Sequence, residues 1–118
     1  MKDSVVSAKS KAFAVRIVRL YRYLQDEKKE FVLSKQLLRC GTSVGANYRA
    51  ASLAKSPADF VSKIKICEEE ADESIYWLEL LIRSGEIDAE RVKTLQTEAT
   101  ELRNIMSASA KTARNNLK

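Results

Sequence analysis

Residues 56–85 read SPADFVSKIKICEEEADESIYWLELLIRSG. Both ends of this stretch are punctuated. Ser56 is a residue type that caps a helix, Pro57 suits the first helical position, and Asp59 complements the positive end of the helix dipole. Ser84-Gly85 supplies the stop. Between them, at about 100° per residue, Phe60, Ile64, Cys67, Ala71, Ile75, Leu78 and Ile82 fall on one stripe. Ile66, Tyr76, Trp77 and Leu80 fall on the other side, with Glu69 and Glu73 among them. One apolar stripe fills the core of a small helical monomer. A second one calls for a further surface, and a second copy of the chain supplies it.

The short Ser56-Pro57 turn makes the preceding segment an antiparallel neighbour. There Ser34 is the expected N-cap, with Leu33 and Leu38 as a hydrophobic staple. Leu33, Leu37, Gly41, Val44, Tyr48 and Ala51 face inward. Gly41 and Gly45 each cost about 1 kcal/mol against Ala inside a helix, which close approach of a neighbouring helix offsets. Gln36, Arg39, Ser43, Ala46, Asn47 and Ala50 make a small, polar outer side. Further out, Val6, Phe13, Ile17, Leu20, Tyr21 and Leu24 share one face of a first helix. Lys11, Arg19 and Arg22 lie opposite, beside Val15 and Val18. After Gly85, Asp88 is the expected cap and Ile87 with Val92 the staple of a last helix. That helix buries Val92, Leu95, Ala99, Leu102, Met106 and Ala110 and frays after Thr112.

The expected fold is therefore all-α, one domain over residues 1–118. It is an antiparallel up-down-up-down left-handed four-helix bundle with helices over about 4–24, 34–55, 57–83 and 89–112. Composition agrees, for the 118 residues include 3 Gly and 1 Pro, as a helical chain should. No apolar run approaches a membrane span. Met1-Lys2-Asp3-Ser4 opens no signal-peptide stretch, so the expected location is the cytoplasm.

With no His and 2 Cys, the chain lacks the usual general base at neutral pH and the ligands of a zinc site. Cys40 and Cys67 read as buried thiols. Glu69 and Glu73, one turn apart, read as an ion-paired set rather than an acid–base pair or metal site. Their partner is Arg39 of the same subunit or a cation across a subunit boundary. No cofactor, metal or small-molecule substrate is expected, and no enzymatic activity.

The net charge of +5 is unevenly spread. Lys2, Lys9, Lys11, Arg16, Arg19 and Arg22 face only Asp3 in the first helix. The C-terminal end carries Lys111, Arg114 and Lys118, and the third helix is mainly acidic. Such a split suits either nucleic-acid binding or charge-matched self-association.

Three blocks carry a family resemblance: Leu33-Ser34-Lys35-Gln36-Leu37-Leu38-Arg39, Ser43-Val44-Gly45-Ala46-Asn47 and Asp59-Phe60-Val61. Together they resemble the "four helix bundle protein" family, some members of which are encoded in intervening sequences of bacterial 23S ribosomal RNA genes. Glu68 to Leu81 is similar to one branch of it. Many members read Asn-Ile-Ala-Glu-Gly where this chain has Asn47-Tyr48-Arg49-Ala50-Ala51. The resemblance implies a ring, typically a homopentamer, and no enzyme activity. A related branch, the accessory variability proteins of diversity-generating retroelements, forms basic rings that bind nucleic acid and a reverse transcriptase.

The expected function is a ring-forming bundle that binds RNA or DNA non-specifically, with a protein-interaction or scaffold module as the alternative. Lys11, Arg19, Arg22, Lys111 and Arg114 are the expected phosphate contacts. Arg39, Ser43, Asn47, Ile66, Glu69, Glu73, Tyr76, Trp77 and Leu80 are the expected subunit interface.

Overall fold

The computed structural model describes residues 2–117, with backbone alone for residues 2–4. Met1 and Lys118 lie outside the described residues, and with them the outer limits of the expected domain and the Lys118 charge. The side-chain charges of Lys2 and Asp3 also lie outside. Four helices pack against one another: α1 (Lys2–Asp26), α2 (Leu33–Ala51), α3 (Pro57–Arg83) and α4 (Lys93–Asn115), the last preceded by a 3₁₀ turn at Glu90–Val92. No strand occurs among the described residues. α2 packs on α1 and α3, and α3 on α4. The α1–α4 side is a thinner contact, bridged by Lys9–Glu101 and Arg16–Glu98.

α3 keeps both expected ends. The Ser56 hydroxyl accepts from Asp59 N–H, and Pro57 takes the first helical position. At the other end, Glu86 N–H reaches Leu81 carbonyl and Gly85 N–H reaches Ile82 carbonyl, with Gly85 at φ 82. These two bonds satisfy the last carbonyls of the helix and need a left-handed residue, which glycine supplies without strain.

The buried row of α3 is Ile64, Cys67, Ala71, Ser74, Leu78 and Leu81. The expected stripe is thus turned by about one residue. Phe60, Ile75 and Ile82 flank the core, and Ser74 takes the central place. A hydroxyl is tolerated there because it donates to Glu70 carbonyl at 2.9 Å and lies 3.3 Å from Cys40 Sγ. All six positions expected inward near α4 are buried.

Other ends differ. The cap of α2 is not Ser34, which is buried one residue inside the helix. The Glu30 carboxylate accepts instead from Val32, Leu33 and Ser34 N–H groups at 3.2, 3.0 and 2.7 Å. Ser34 hydroxyl donates to Glu30 carbonyl and accepts from Gln25. α2 also stops at Ala51, not near Lys55. Ala51 is its last core contact, Leu53 is 80% exposed, and Ser56 must be extended ahead of a proline. Asp88 makes no side-chain cap, since its backbone carbonyl accepts Arg91 N–H and winds the tighter 3₁₀ turn. α4 runs on through Asn115, past the expected fraying point, held by buried Ala110.

The two glycines of α2 face α1. A Cβ on Gly41 would stand 2.8 and 2.9 Å from Ile17 side-chain carbons, and one on Gly45 3.2 Å from Ser10 Cβ. Close approach is thus what the glycines permit, and what they meet is chiefly the side chains of α1.

Glu30 gives the fold a pH-dependent element. Partial burial pushes its pKa up, but the N–H groups of Leu33, Ser34 and Val32 and the Ser34 hydroxyl outweigh that, and the net pKa is lowered. A lowered folded-state pKa stabilises fully above the unfolded value, about 4.3, and is lost as pH falls through the folded value. Glu30→Ala should cost about 1 kcal/mol at pH 7 in urea melts. The gap between the two proteins should close on acidification below about pH 4. A gap independent of pH would show that Glu30 is not the cap.

Candidate functional site

Two outward faces carry the candidate residues. The first is on α1. A helix with Phe13, Ile17, Leu20 and Leu24 buried must present the residues between them outward. Lys11, Arg19 and Arg22 are all exposed there, with Val15 48% exposed among them. None of the three makes an ion pair among the described residues. The remaining α1 cations behave differently. Lys9 Nζ lies 2.9 Å from Glu101, and Arg16 Nε donates to both Glu98 oxygens at 3.0 and 3.1 Å. The bond to Glu98 raises the Arg16 pKa above its ordinary value.

Arg91 joins the Arg19–Arg22 end of this face. Its guanidinium carbon sits 3.6 Å over the Tyr23 ring, a favourable cation–π geometry. Arg16, Arg19, Tyr23, Arg91 and Thr94 line one shallow hollow of about 230 Å³. The sequence reading sets Arg91 in the first turn of the last helix and gives it no role, whereas it lies in the 3₁₀ turn ahead of α4. The signal available was Tyr23, on the side of α1 that meets the start of α4. Lys111 and Arg114 are exposed but lie elsewhere. Lys9 meets Glu101 and Tyr23 meets Arg91, so residues past Glu101 continue toward the start of α1, away from Arg19 and Arg22.

The second face lies along α2 and α3. Arg39 reaches Glu73 and, at 3.4 Å, Glu70 of its own chain, one of the two pairings the sequence left open. Trp77 Nε1 donates to the same Glu73 carboxylate at 3.0 Å. Trp77 is half-buried against the core and meets Tyr76 edge-on, with centroids 5.2 Å apart. Of the expected interface residues, Ile66 is 39% and Tyr76 55% exposed, and Leu80 is half-buried. Glu69 is exposed and makes no ion pair among the described residues. Ser43 donates to Arg39 carbonyl and Asn47 to Ser43 carbonyl, so both side chains fold back on α2. The structure thus brings Arg39, Glu73 and Trp77 together and sets Glu69, Tyr76, Leu80 and Ile66 along an outer ridge.

No group of three His, Cys, Asp or Glu among the described residues is arranged to hold a metal. No described helix is long and apolar enough to cross a membrane.

Comparison with known proteins fits this architecture. A family model described as 23S rRNA-intervening sequence protein matches residues 2–108. A solved structure from Bacteroides thetaiotaomicron, described as a protein with unknown function from the S23 ribosomal protein family, is 51% identical. It covers 94% of this chain and 99% of its own, with a TM-score of 0.90. No curated protein matches.

Both thiols are buried, and burial pushes Cys40 to about 11 and Cys67 to about 12. At pH 8 only about one Cys40 in a thousand is then thiolate, the reactive form. A disulfide-exchange reagent at pH 8 should leave the native protein unmodified over minutes and titrate two thiols in denaturant. Rapid native labelling of either cysteine would show that its helix opens readily.

Proposed function

The chain belongs to the 23S rRNA-intervening sequence protein family, and from that premise we propose that it is a non-enzymatic cytoplasmic bundle that assembles into a ring, five copies by family resemblance, and binds RNA or DNA through phosphates. The observation that carries the nucleic-acid part is the free outer face of α1. Lys11, Arg19 and Arg22 stand exposed without acidic partners among the described residues, while Lys9, Arg16, Arg39, Lys63, Lys65 and Arg103 are each paired with a carboxylate. Unpaired cations on one face are what a phosphate backbone meets most easily. A few such charges bind weakly, and a ring repeats them, raising avidity without new contacts. The assembly part is supported by Ile66 and Tyr76, which remain exposed on α3 beside Leu80.

A scaffold without a nucleic-acid role is the second reading. It is favoured by the number of cations already matched to acids within the chain, which leaves assembly as the main use of the surface.

Light scattering at micromolar concentration should give a mass several times 13.3 kDa; a monomer would remove the assembly claim. Fluorescence anisotropy with single-stranded RNA and DNA should show binding that is insensitive to sequence and falls steeply with salt. Arg19→Gln/Arg22→Gln should leave the oligomer intact and weaken binding, reducing the salt slope by about 1.4 for each engaged subunit. No binding by the wild-type protein at low salt would leave the scaffold reading in its place.

A further inference from the structure

Between α1 and α2 runs an open groove of about 740 Å³. Its floor is made of small residues, Ala8 and Ala14 from α1 and Gly45 and Ala46 from α2, and Thr42 and Tyr48 of α2 also line it. Its charged residues among the described ones are Lys11 and Arg49, and no described acid lines it. Neither cation makes an ion pair among the described residues. Ser10 also lines the groove and is 1% exposed, yet its hydroxyl has no hydrogen-bond partner. A helical serine ordinarily bonds back to a carbonyl one turn earlier, and a buried hydroxyl left unmet is costly where Ala would not be. A floor of small residues, two cations unpaired among the described residues and an unmet hydroxyl together describe a seat for a helix that brings bulky side chains and carboxylates.

The same chain carries a face of that chemistry. Ile66, Glu69, Tyr76 and Leu80 stand three, seven and four residues apart, the spacing of a single helical ridge. Tyr76 and Ile66 are its exposed apolar members. Glu69 on the ridge and Glu79 beside it are exposed, with no ion pair among the described residues. The ridge is large, apolar and acidic where the groove is small, hydroxylated and basic.

We propose that the α1–α2 groove of one copy receives the outward α3 ridge of the next. This rests on the reading of the protein as self-assembling and deepens it by naming the two halves of the contact. α1 packs on α2 and α4, and α3 packs on the same two helices from the other side. Ridge and groove therefore point in different directions, and the contact is head to tail. Such contacts propagate, and they close into a ring when the rotation allows. Lys11 then belongs to the subunit contact, and Arg19 and Arg22 remain for other ligands.

The test uses full-length variants altered only at exposed side chains. The groove variant is Lys11→Glu/Arg49→Glu, and the ridge variant is Ile66→Ser/Tyr76→Ser. Circular dichroism checks that each folds; Lys11→Gln/Arg49→Gln and Tyr76→Ser alone replace any that does not. Each variant alone should be monomeric by light scattering. Mixed in equal amounts they should form a one-to-one dimer and stop there, because one intact groove meets one intact ridge and the other two faces are dead. A wild-type monomer would sink self-assembly itself. A wild-type oligomer whose groove variant still assembles, or a mixture that stays monomeric or grows beyond two copies, would overturn this contact and leave self-assembly standing.

Discussion

The closeness of α1 to α2 is the constraint on which the rest of the molecule depends. It exists because Gly41 leaves room for Ile17 and Gly45 leaves room for Ser10. Replacing either hydrogen by a methyl group drives it into a neighbour, and at Gly41 the neighbour is a fully buried core residue. Once the two helices lie this close, the side chains between them must be small. That produces a groove on the outer surface instead of a filled seam. It also fixes the rotation of α1. Ile17 points to the core, so Lys11, Arg19 and Arg22 point out, while Lys9 and Arg16 turn toward the acids of α4.

α3 answers the same constraint from the other side of the bundle. It is hydrophobic enough to supply a core row and still has apolar residues left over. The network of Arg39, Glu70, Glu73 and Trp77 marks the border between those two uses. Trp77 packs its ring on the core and spends its N–H on Glu73, and Arg39 of α2 neutralises that carboxylate. Exposed pairs of this kind add little stability. Their effect here is on orientation: Glu73 and Trp77 are turned toward α2, which leaves Glu69, Tyr76 and Leu80 to define the outer ridge.

What was legible in the sequence follows from how local the causes are. Ser56-Pro57 and Ser84-Gly85 act within one turn, so both ends of α3 could be read directly. The inward row near α4 could be read because its apolar residues stand apart among polar ones. Three features could not. The cap of α2 is Glu30, a loop carboxylate that reaches forward over several residues, whereas a search for a cap stops at the nearest hydroxyl. Ser74 displaces Ile75 from the centre of the core because Cys40 and the Glu70 carbonyl lie beside it, a fact of packing between helices. Arg91 finds Tyr23 only after the chain has turned three times. For the candidate site, the cations of α1 and the ridge of α3 were visible as periodic faces. The groove was not, since it belongs to two helices and forms where small residues of both, Ala8, Ala14, Gly45 and Ala46, come together.

Charge, in this protein, is informative through what remains after pairing. A net charge of +5 by itself says only that the chain is basic. Folding sorts the cations into two populations. Lys9, Arg16, Arg39 and Arg103 sit on seams between helices and meet acids of the neighbouring helix. Lys11, Arg49, Arg19 and Arg22 meet none among the described residues. The first population ties one helix to another in a small bundle; the second is a surface that faces outward with its field unspent. That surface divides again, for Lys11 of α1 and Arg49 of α2 border the groove while Arg19 and Arg22 of α1 stand beyond it, near Arg91. A partner helix with carboxylates suits the first pair, which borders a groove of about 740 Å³, and a flexible polyanion suits the second, beside a shallow hollow of about 230 Å³. Self-assembly and phosphate binding therefore need not compete for the same charges.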